Sequence, residues 1–158
     1  MFCCFTGLAF IDVHNLKPSD ISTDSDGKMW IRKRREKTDE LSVIPLLDIP
    51  QEIMRKYMAH PIVLAKGVVL PVMSNQKVNA YLKEIADLAK IPKYLTSHIA
   101  RHTFATMSLN NHVPLETISK MLGHSDIKTT QIYAKMMDNT ISEDMEVMRT
   151  KFNRVRLG

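Results

Sequence analysis

Residues 97–133 read SHIARHTFATMSLNNHVPLETISKMLGHSDIKTTQIY, and the spacing of side chains in this stretch decides how the rest of the chain is interpreted. Three clusters in it carry groups that bind phosphate or act as nucleophiles: His98 with Arg101 and His102, then Gly123-His124, and finally Tyr133. Because residues three and four apart are neighbours on a helix, the first cluster is predicted to share one helical face. Histidine, arginine and tyrosine together indicate phosphoryl chemistry.

The composition indicates one folded domain with a basic surface. The chain has 158 residues, of which 44% are hydrophobic, so it is long enough for one core and too short for two full domains. The net charge is +5, and basic residues are concentrated in the segment 28–37, where Glu36 is the only acid. A local basic segment favours a polyanionic partner. Its members are Lys28, Arg32, Lys33, Arg34, Arg35 and Lys37.

The cysteines and the first residues indicate the compartment. Cys3 and Cys4 are the only cysteines, and adjacent cysteines rarely form a structural disulfide, so a reducing cytosol is predicted. The apolar residues 1–10 have no basic leader and fall short of the roughly 20 residues that span a bilayer, so they are neither a signal peptide nor an anchor. We expect no membrane association, and we expect that the chain begins inside a helix of a longer protein.

The first half of the chain predicts short helices followed by a small sheet. Phe2–Leu8 is an apolar helical run that continues, or begins again after Gly7, as far as Leu16. Three strand-like segments follow, separated by polar turns, and Asp26-Gly27 is a hairpin-turn signal. The predicted antiparallel strands are Asp20–Thr23, Met29–Arg35 and Leu41–Pro45.

The second half has the period of helices, so the predicted fold class is α+β and mainly α, with one three-stranded sheet. Residues 62–72 are apolar but irregular, with Gly67 and Pro71 inside, and are interpreted as a loop with room for a short strand. Helices are predicted from Asp48, over Asn75–Lys90 after a Ser74 cap, from Thr96 or Ser97 to Asn111, from Pro114 to Gly123, around Tyr133 after Ser125 or Asp126, and over Ile141–Phe152. The predicted core faces are Ile53, Met54, Tyr57 and Met58 in the first of these helices and Val78, Leu82, Ile85 and Ala89 in the second.

Each cluster taken alone also has a plainer interpretation. His98 and Arg101 are compatible with a solvated helix face, and the other two clusters with ordinary helix-end and core positions. His98 and His102 stand four apart, as zinc ligands do on a helix, but Ile99 occupies the place where the zinc-hydrolase pattern has a glutamate. Arg101 would also bring a positive charge beside the ion, so we predict no metal site.

The clusters become specific as an ordered set. The chain carries Thr6-Gly7-Leu8, then Lys37 eight residues before Pro45, then His98-x-x-Arg101-His102, Gly123-His124 and Tyr133. This order, with Asp12, Thr103-Phe104-Ala105-Thr106 and Leu122 as supporting positions, resembles the catalytic domain of the tyrosine recombinases, the integrases of phages and conjugative transposons. The resemblance implies one catalytic domain over 1–158, with a core over 1–137 and a tail helix over about 140–156. It also implies an upstream core-binding domain that this chain lacks.

The resemblance implies a role for each residue in cutting and rejoining double-stranded DNA. Tyr133 would attack the scissile phosphate, displace a 5′-hydroxyl and form a 3′-phosphotyrosyl link. Arg101 would bind the non-bridging oxygens, and His124 would hydrogen-bond the phosphate. His98 would take the tyrosine proton, and Lys37 would protonate the leaving oxygen. The resemblance implies no metal, nucleotide or other cofactor.

One position departs from the family pattern. The family carries a second phosphate-binding arginine directly after Thr-Gly-Leu, and this chain has Ala9 there. Removing one such donor commonly lowers a rate by about a hundred- to a thousand-fold. Another cation could replace it, with Arg32, Arg34 and Arg35 as the nearest candidates, or the enzyme could work without it, as the resemblance to some mobile-element integrases implies. The alternatives to a recombinase are an impaired relative that only binds DNA, as Ala9 would suggest, and a topoisomerase with the same tyrosine chemistry.

The basic segment and the tail are expected to bind partners. The residues predicted to contact DNA, mainly its phosphates, are Lys28, Arg32, Lys33, Arg34, Arg35 and His102. The tail carries Ile141, Met145, Met148 and Phe152 on one face. The resemblance implies that this face docks on a neighbouring protomer in a tetramer on DNA, with a monomer in isolation. It also implies a bacterial cytoplasmic protein that associates with the nucleoid.

Overall fold

The computed structural model describes residues 1–135, 145, 146, 148, 149 and 152. In this part of the chain eight helices accompany one three-stranded sheet, which confirms the predicted fold class. The helices are α1 (Phe2–Thr6), α2 (Phe10–His14), α3 (Asp48–Tyr57), α4 (Pro61–Lys66), α5 (Asn75–Leu88), α6 (Ser97–Asn110), α7 (Leu115–Leu122) and α8 (Lys128–Ala134). The strands are β1 (Ile21–Thr23), β2 (Met29–Arg34) and β3 (Leu41–Pro45), and a short 3-10 turn at Pro18–Asp20 precedes them.

The sheet divides the basic segment between its two sides. The strands are antiparallel in the order β1-β2-β3, and Ile31 of the central strand is fully buried. Because side chains alternate across a strand, Lys33 and Arg35 lie on the same side of the sheet as Ile31. Arg32 and Arg34 lie on the other side. Only the first pair can therefore approach the helices that cover Ile31.

Helix α6 is central to the helical part, where it contacts α1, α5, α7 and α8. Phe104 of α6 packs in one core with Leu122 of α7 and Tyr133 of α8. Gly7 ends α1 with a φ of 67°, and a Cβ there would lie 2.5 Å from the Phe104 ring. Glycine therefore lets the chain pass close to α6. This approach brings the Gly7 carbonyl within reach of Arg101.

The prediction of a loop over residues 62–72 is wrong in part, because residues 62–66 belong to helix α4, whereas residues 67–72 form neither helix nor strand. Pro61 occupies the first helical position, where its missing N–H is not needed, and the His60 side chain accepts a first-turn backbone N–H at 3.2 Å. Gly67 ends the helix in the left-handed region, with a φ of 62°. The glycine that was interpreted as part of a loop is thus a helix end.

The predicted core face of α5 is wrong in part. Val78 and Leu82 are half-buried, but Ile85 and Ala89 are exposed and Ala86 is buried instead. Residues four apart form one stripe along a helix, and the stripe that faces the core runs through Val78, Leu82 and Ala86. Ile85 belongs to the neighbouring stripe, which faces solvent.

Three further expectations concern α3, the tail and the membrane. Met58 was predicted on the core face of α3, but it follows the last residue of that helix, where the chain turns towards α4, and it is exposed. The predicted helix over 141–152 and the tail over about 140–156 fall mostly on residues outside the described part. No helix among the described residues is long and apolar enough to cross a membrane.

Candidate active site

The residues that the sequence grouped by motif come from four parts of the fold. Helix α6 carries His98, Arg101 and His102, His124 follows α7, Tyr133 lies in α8, and Arg35 and Lys37 lie in the turn after β2. Hydrogen bonds, ring contacts and electrostatic interactions join these parts into one site.

Arg101 is a buried cation held by two backbone carbonyls. It is 3% exposed, its Nη1 donates to the Gly7 carbonyl at 2.7 Å, and its Nη2 donates to the Leu122 carbonyl. Burial, and then the positive charge of Arg35, lowers its pKa below the ordinary value of an arginine, to about 10. A guanidinium with this pKa is still charged at neutral pH, so the fold holds a fixed cation in a largely dehydrated place.

Tyr133 is withdrawn from solvent near this cation. It is 3% exposed, and burial raises the pKa of its phenol, an effect that the charge of Arg101 partly opposes. The His102 ring meets the Tyr133 ring edge-on, with centroids 5.3 Å apart, and the His98 ring meets the His102 ring at 4.5 Å. His102, which the sequence assigned to DNA contact, therefore contacts the rings of both His98 and Tyr133.

His98 is an exposed histidine at the start of α6. Burial of its ring is the first cause that lowers its pKa below 6.5, and the charged neighbours that add to it are His102, Arg101, Lys37 and Arg35. The lowered pKa favours the neutral ring at pH 7, which is the form that accepts a proton. The effect of Lys37 also indicates that the turn after β2 lies on this side of α6.

His124 is kept neutral by its surroundings. Burial, followed by the charges of Arg101 and Arg35, lowers its pKa from 6.5 to about 4. Its Nδ1 lies 2.7 Å from Oγ1 of Thr130, a fully buried residue. With the Thr130 hydroxyl as donor, the ring proton resides on Nε2, which can then donate a hydrogen bond. Thr130 was missed in the sequence, although it stands three residues before Tyr133 on the same helical face.

Of the three arginines considered as replacements for the missing one, Arg35 is the one that reaches the site. Its Nη1 donates to the Gly123 carbonyl at 2.9 Å, its Nε is 3.9 Å from Oδ2 of Asp12, and its side chain is 12% exposed. The Arg34 side chain is 67% exposed, and its Nη1 donates to a carbonyl of the turn at 2.8 Å. Arg32 is exposed on the same side of the sheet as Arg34.

The predicted DNA-contacting lysines have different surroundings. The Lys33 ammonium lies 3.6 Å from a carboxylate oxygen of Asp20 and 3.8 Å from one of Glu36, and its side chain is largely covered. Lys28 is exposed next to the β1–β2 turn, and Lys37 is exposed in the β2–β3 turn. Lys33 is thus already paired with two acids, whereas the other two lysines face solvent.

Asp12 connects α2 to the turn after β2. It is fully buried, and its Oδ1 accepts the backbone N–H of Glu36 at 2.9 Å while its Oδ2 faces Arg35. The sequence identified Asp12 only as a supporting position, because both partners are more than twenty residues away. Among the described residues, no group of three or more His, Cys, Asp or Glu side chains is placed to hold a metal ion.

Comparison with known sequences assigns this arrangement to a family. The profile of the phage integrase family matches residues 1–140. The tyrosine recombinase XerA of Saccharolobus solfataricus is 30% identical over 151 residues, which cover 94% of this chain and 49% of the relative. The tyrosine recombinase XerD of Staphylococcus saprophyticus is 36% identical over 109 residues, which cover 63% of this chain and 37% of the relative. The chain therefore spans about half the length of such relatives, or less.

Solved structures share the fold. A crystal structure of XerA recombinase superposes with a TM-score of 0.70 at 23% identity and covers 92% of this chain and 54% of that one. XerH recombinase, in a post-cleavage complex with a palindromic difH substrate, gives 0.69 at 18% identity over 93% of this chain and 44% of that one. The Tn1549 transposon integrase, in complex with a circular intermediate DNA, gives 0.65 at 18% identity over 83% and 51%. This chain belongs to the phage integrase family, as a tyrosine recombinase catalytic domain.

Proposed function

We propose that this domain cleaves and rejoins double-stranded DNA in site-specific recombination, with Tyr133 as the nucleophile. The observation that carries the proposal is a buried tyrosine near a buried cation, Arg101, which two backbone carbonyls hold in place. XerH recombinase and the Tn1549 integrase, which share the fold, were solved in complexes with DNA. These complexes support DNA as the substrate class.

The proposed first step is an exchange of one phosphate ester for another. The Tyr133 oxygen attacks the scissile phosphorus, and the bond between phosphorus and the 5′-oxygen breaks. The tyrosine proton passes to neutral His98, and Lys37 gives a proton to the departing 5′-oxygen. The products are a 3′-phosphotyrosyl link and a free 5′-hydroxyl. Attack by a 5′-hydroxyl of another strand reverses these steps, so no nucleotide is consumed.

The cation and the neutral histidine of the site suit the charge of this transition state. The guanidinium of Arg101 has five N–H groups, and among the described residues the two backbone carbonyls occupy two of them, so three remain for phosphate oxygens. His124 adds a neutral donor that costs little to bring beside an anion. Donors that are fixed before the reaction stabilise the developing charge without reorganising.

His102 has a different task in this proposal than the sequence assigned to it. Its ring contacts the rings of both Tyr133 and His98 edge-on. We assign to His102 the holding of the Tyr133 ring in place until DNA binds.

The proposed contacts with DNA and with neighbouring protomers use exposed groups. Lys28, Arg32 and Arg34 are exposed and are proposed to meet phosphates, whereas Lys33 is occupied by its two carboxylates. Affinity from such contacts falls steeply with salt. Among the few tail residues that the structure describes, Met145, Met148 and Phe152 are apolar and exposed. We propose that they dock on the next protomer of a tetramer on DNA, with a monomer in solution.

A relative that binds DNA without cutting it is the second candidate, and Ala9 is the observation that favours it. Ala9 precedes α2 at the position where the family has an arginine, and it offers no charge to a phosphate. Loss of one such donor is enough to lower cleavage by about a hundred- to a thousand-fold if nothing replaces it.

Covalent capture separates the two candidates. The probe is a pool of duplexes that are randomised around a nick, so that cleavage beside the nick releases a short fragment and traps the protein on DNA. We expect an SDS-resistant adduct with the wild type and none with Tyr133→Phe, which should still bind the pool. Tyr94→Phe, which removes an exposed phenol, is the matched control and should behave as the wild type. A wild type that binds the pool and forms no adduct would refute the proposal.

A further inference from the structure

The turn after β2 carries a second covered guanidinium, that of Arg35. We propose that Arg35 binds the reacting phosphate together with Arg101 and supplies the arginine function that Ala9 lacks, with Asp12 as the residue that positions it. The inference rests on the recombinase function proposed above, and it adds a catalytic residue to that site.

The strand β2 directs Arg35 inward. Ile31 is fully buried, and Arg35 lies four residues on, on the same side of the strand. Strand pairing extends to Arg35, since its backbone N–H donates to the Glu40 carbonyl at 2.9 Å. Arg32 and Arg34 lie on the opposite side. The pleat of the sheet therefore separates Arg35 from its two basic neighbours.

The end of α7 holds the guanidinium. The Gly123 carbonyl accepts from Nη1 of Arg35, and a Cβ on Gly123 would lie 2.7 Å from the Arg35 Cδ. The absence of a side chain at Gly123 is thus what lets Arg35 lie here. The next residue is His124, so Arg35 is bonded to the segment that presents the predicted phosphate ligand.

Arg35 keeps donors that the described protein does not satisfy. Among the described residues, neither its Nε, which is buried, nor its Nη2 has a hydrogen-bond partner, since the Asp12 oxygen lies 3.9 Å from Nε and is too far for one. A covered N–H group without an acceptor, such as Nε, is unfavourable. A planar guanidinium presents its donors as a fork that matches two oxygens of a phosphate.

The charges of the site favour an anion between the two arginines. Arg35 is, after burial, the next cause of the lowered pKa of Arg101, which indicates that the two cations repel each other. Asp12 is the carboxylate that pairs with Arg35 in the described part of the chain. His124 is neutral at pH 7 because its pKa is about 4. Binding of a phosphodiester would therefore relieve a repulsion that the fold maintains.

Asp12 positions this cation without meeting the phosphate. Its Oδ2 lies 3.9 Å from Nε of Arg35, and its Oδ1 accepts the N–H of Glu36, the residue between Arg35 and Lys37. One carboxylate therefore orients the guanidinium and anchors the turn that carries Lys37. Asp12→Asn keeps an acceptor for the N–H but removes the charge beside Arg35.

Single-turnover cleavage of the nicked duplexes at saturating protein tests the proposal, with DNA binding and urea unfolding measured in parallel. We expect Arg35→Gln to lower the cleavage rate about 100- to 1000-fold. Arg55→Gln is the matched control, because it removes the same charge from an exposed position in α3, a helix that contributes no residue to the proposed site. It should leave both DNA binding and the rate at saturation within about threefold of the wild type. Asp12→Asn should lower the rate by less than Arg35→Gln.

A methylphosphonate at the scissile position distinguishes phosphate binding from a structural role. This substrate has a methyl group in place of a charged non-bridging oxygen, so loss of an arginine that binds this oxygen should slow its cleavage less. We expect the rate loss caused by Arg35→Gln to be about tenfold or more smaller on this substrate than on the ordinary one, which is the sign of coupling in a double-mutant cycle. If Arg35→Gln does not fold, Arg35→Lys, which keeps the charge and loses the fork, takes its place in the cycle.

The outcomes separate this inference from the function beneath it. A wild-type rate in Arg35→Gln, or an equal defect on both substrates, would overturn the role of Arg35 and leave the recombinase function standing. The proposal that Arg35 takes over the function of the missing arginine is also wrong if the wild type forms no adduct while the Ala9→Arg variant does. If neither forms an adduct, the proposed function fails and the inference fails with it.

Discussion

Replacing Gly123 with alanine should destabilise the chain and displace Arg35 at the same time. Gly123 ends α7 with a φ of 59°, a left-handed conformation that costs an L-residue about 1–2 kcal/mol. The new Cβ would lie 2.6 Å from the Ser42 Oγ and 2.7 Å from the Arg35 Cδ. Crowding of this kind costs about 1–3 kcal/mol more, so the free energy of unfolding should fall by about 2–5 kcal/mol in total.

Gly67 provides a matched control for the backbone part of this loss. It ends α4 with a φ of 62°, and no atom lies within 4 Å of a Cβ built on it. Gly67→Ala should therefore lose only the conformational part, about 1–2 kcal/mol. The difference between the two variants, about 1–3 kcal/mol, measures the crowding against Ser42 and Arg35.

Urea unfolding followed by circular dichroism measures both free energies, and covalent capture on nicked duplexes measures the consequence for the site. Because the crowding pushes Arg35 away from the Gly123 carbonyl, Gly123→Ala should cleave about tenfold more slowly than Gly67→Ala under conditions where both are folded. Equal losses of stability in the two variants would refute the packing of Arg35 against Gly123. Equal cleavage rates would refute its importance for catalysis.

Two further predictions concern His124 and Lys37. The folded chain holds the pKa of His124 at about 4, against the ordinary 6.5, so the folded chain binds this proton only at a lower pH than the unfolded chain does. The free energy of unfolding should therefore fall as the pH drops from 6.5 to 4. After discounting for partial exposure, we expect this fall to be about 1–2 kcal/mol. Urea unfolding at pH 7 and at pH 4.5 measures it, and the fall should be smaller by that amount in His124→Gln. An unchanged pH dependence in the variant would contradict the burial of a neutral ring. Lys37→Ala should slow cleavage of ordinary DNA but not of a duplex with a bridging 5′-sulfur, because a thiolate leaves without being protonated. A defect of the same size on both duplexes would exclude Lys37 as the acid.

Most of the fold follows from local signals in the sequence. The predicted strands differ from the observed ones by one residue at most, and Ser74 and Gly123 cap the helices that they were predicted to cap. The exception at residues 62–72 has a local cause too. Pro61 and Gly67 are the start and stop signals of a helix of only six residues, and a run this short has too few turns to show a helical period.

The face of α5 could not be predicted from periodicity. The stripe through Val78, Leu82 and Ala86 and the stripe through Tyr81 and Ile85 have the same spacing. The predicted face passes from Leu82 to Ile85, by a step of three, whereas the buried face passes from Leu82 to Ala86, by a step of four. Which stripe is buried depends on the room that neighbouring elements leave, and the core accepts an alanine at this place.

The motif residues were found because the helix-forming stretch keeps them at short spacings, but their mutual arrangement depends on tertiary contacts. Spacing placed His98, Arg101 and His102 on one face, yet it could not show that the His102 ring contacts the Tyr133 ring. Nor could it show that Thr130 bonds His124, since a threonine in a helix bonds more often to its own backbone.

The choice among the candidate arginines was partly open to sequence reasoning. With Met29 and Ile31 facing the core, a period of two places Lys33 and Arg35 on the inner side and Arg32 and Arg34 on the outer side. Trp30 is an apolar residue of that outer side, however, so the choice of side needs the structure. Alternation cannot go further, because both remaining side chains point inward. Lys33 meets two acids nearby in the chain, whereas Arg35 meets a carbonyl 88 residues away. The position at which α7 ends against the sheet therefore selects Arg35 as the second cation of the site. A change that moves Gly123 should weaken phosphate binding because it displaces Arg35.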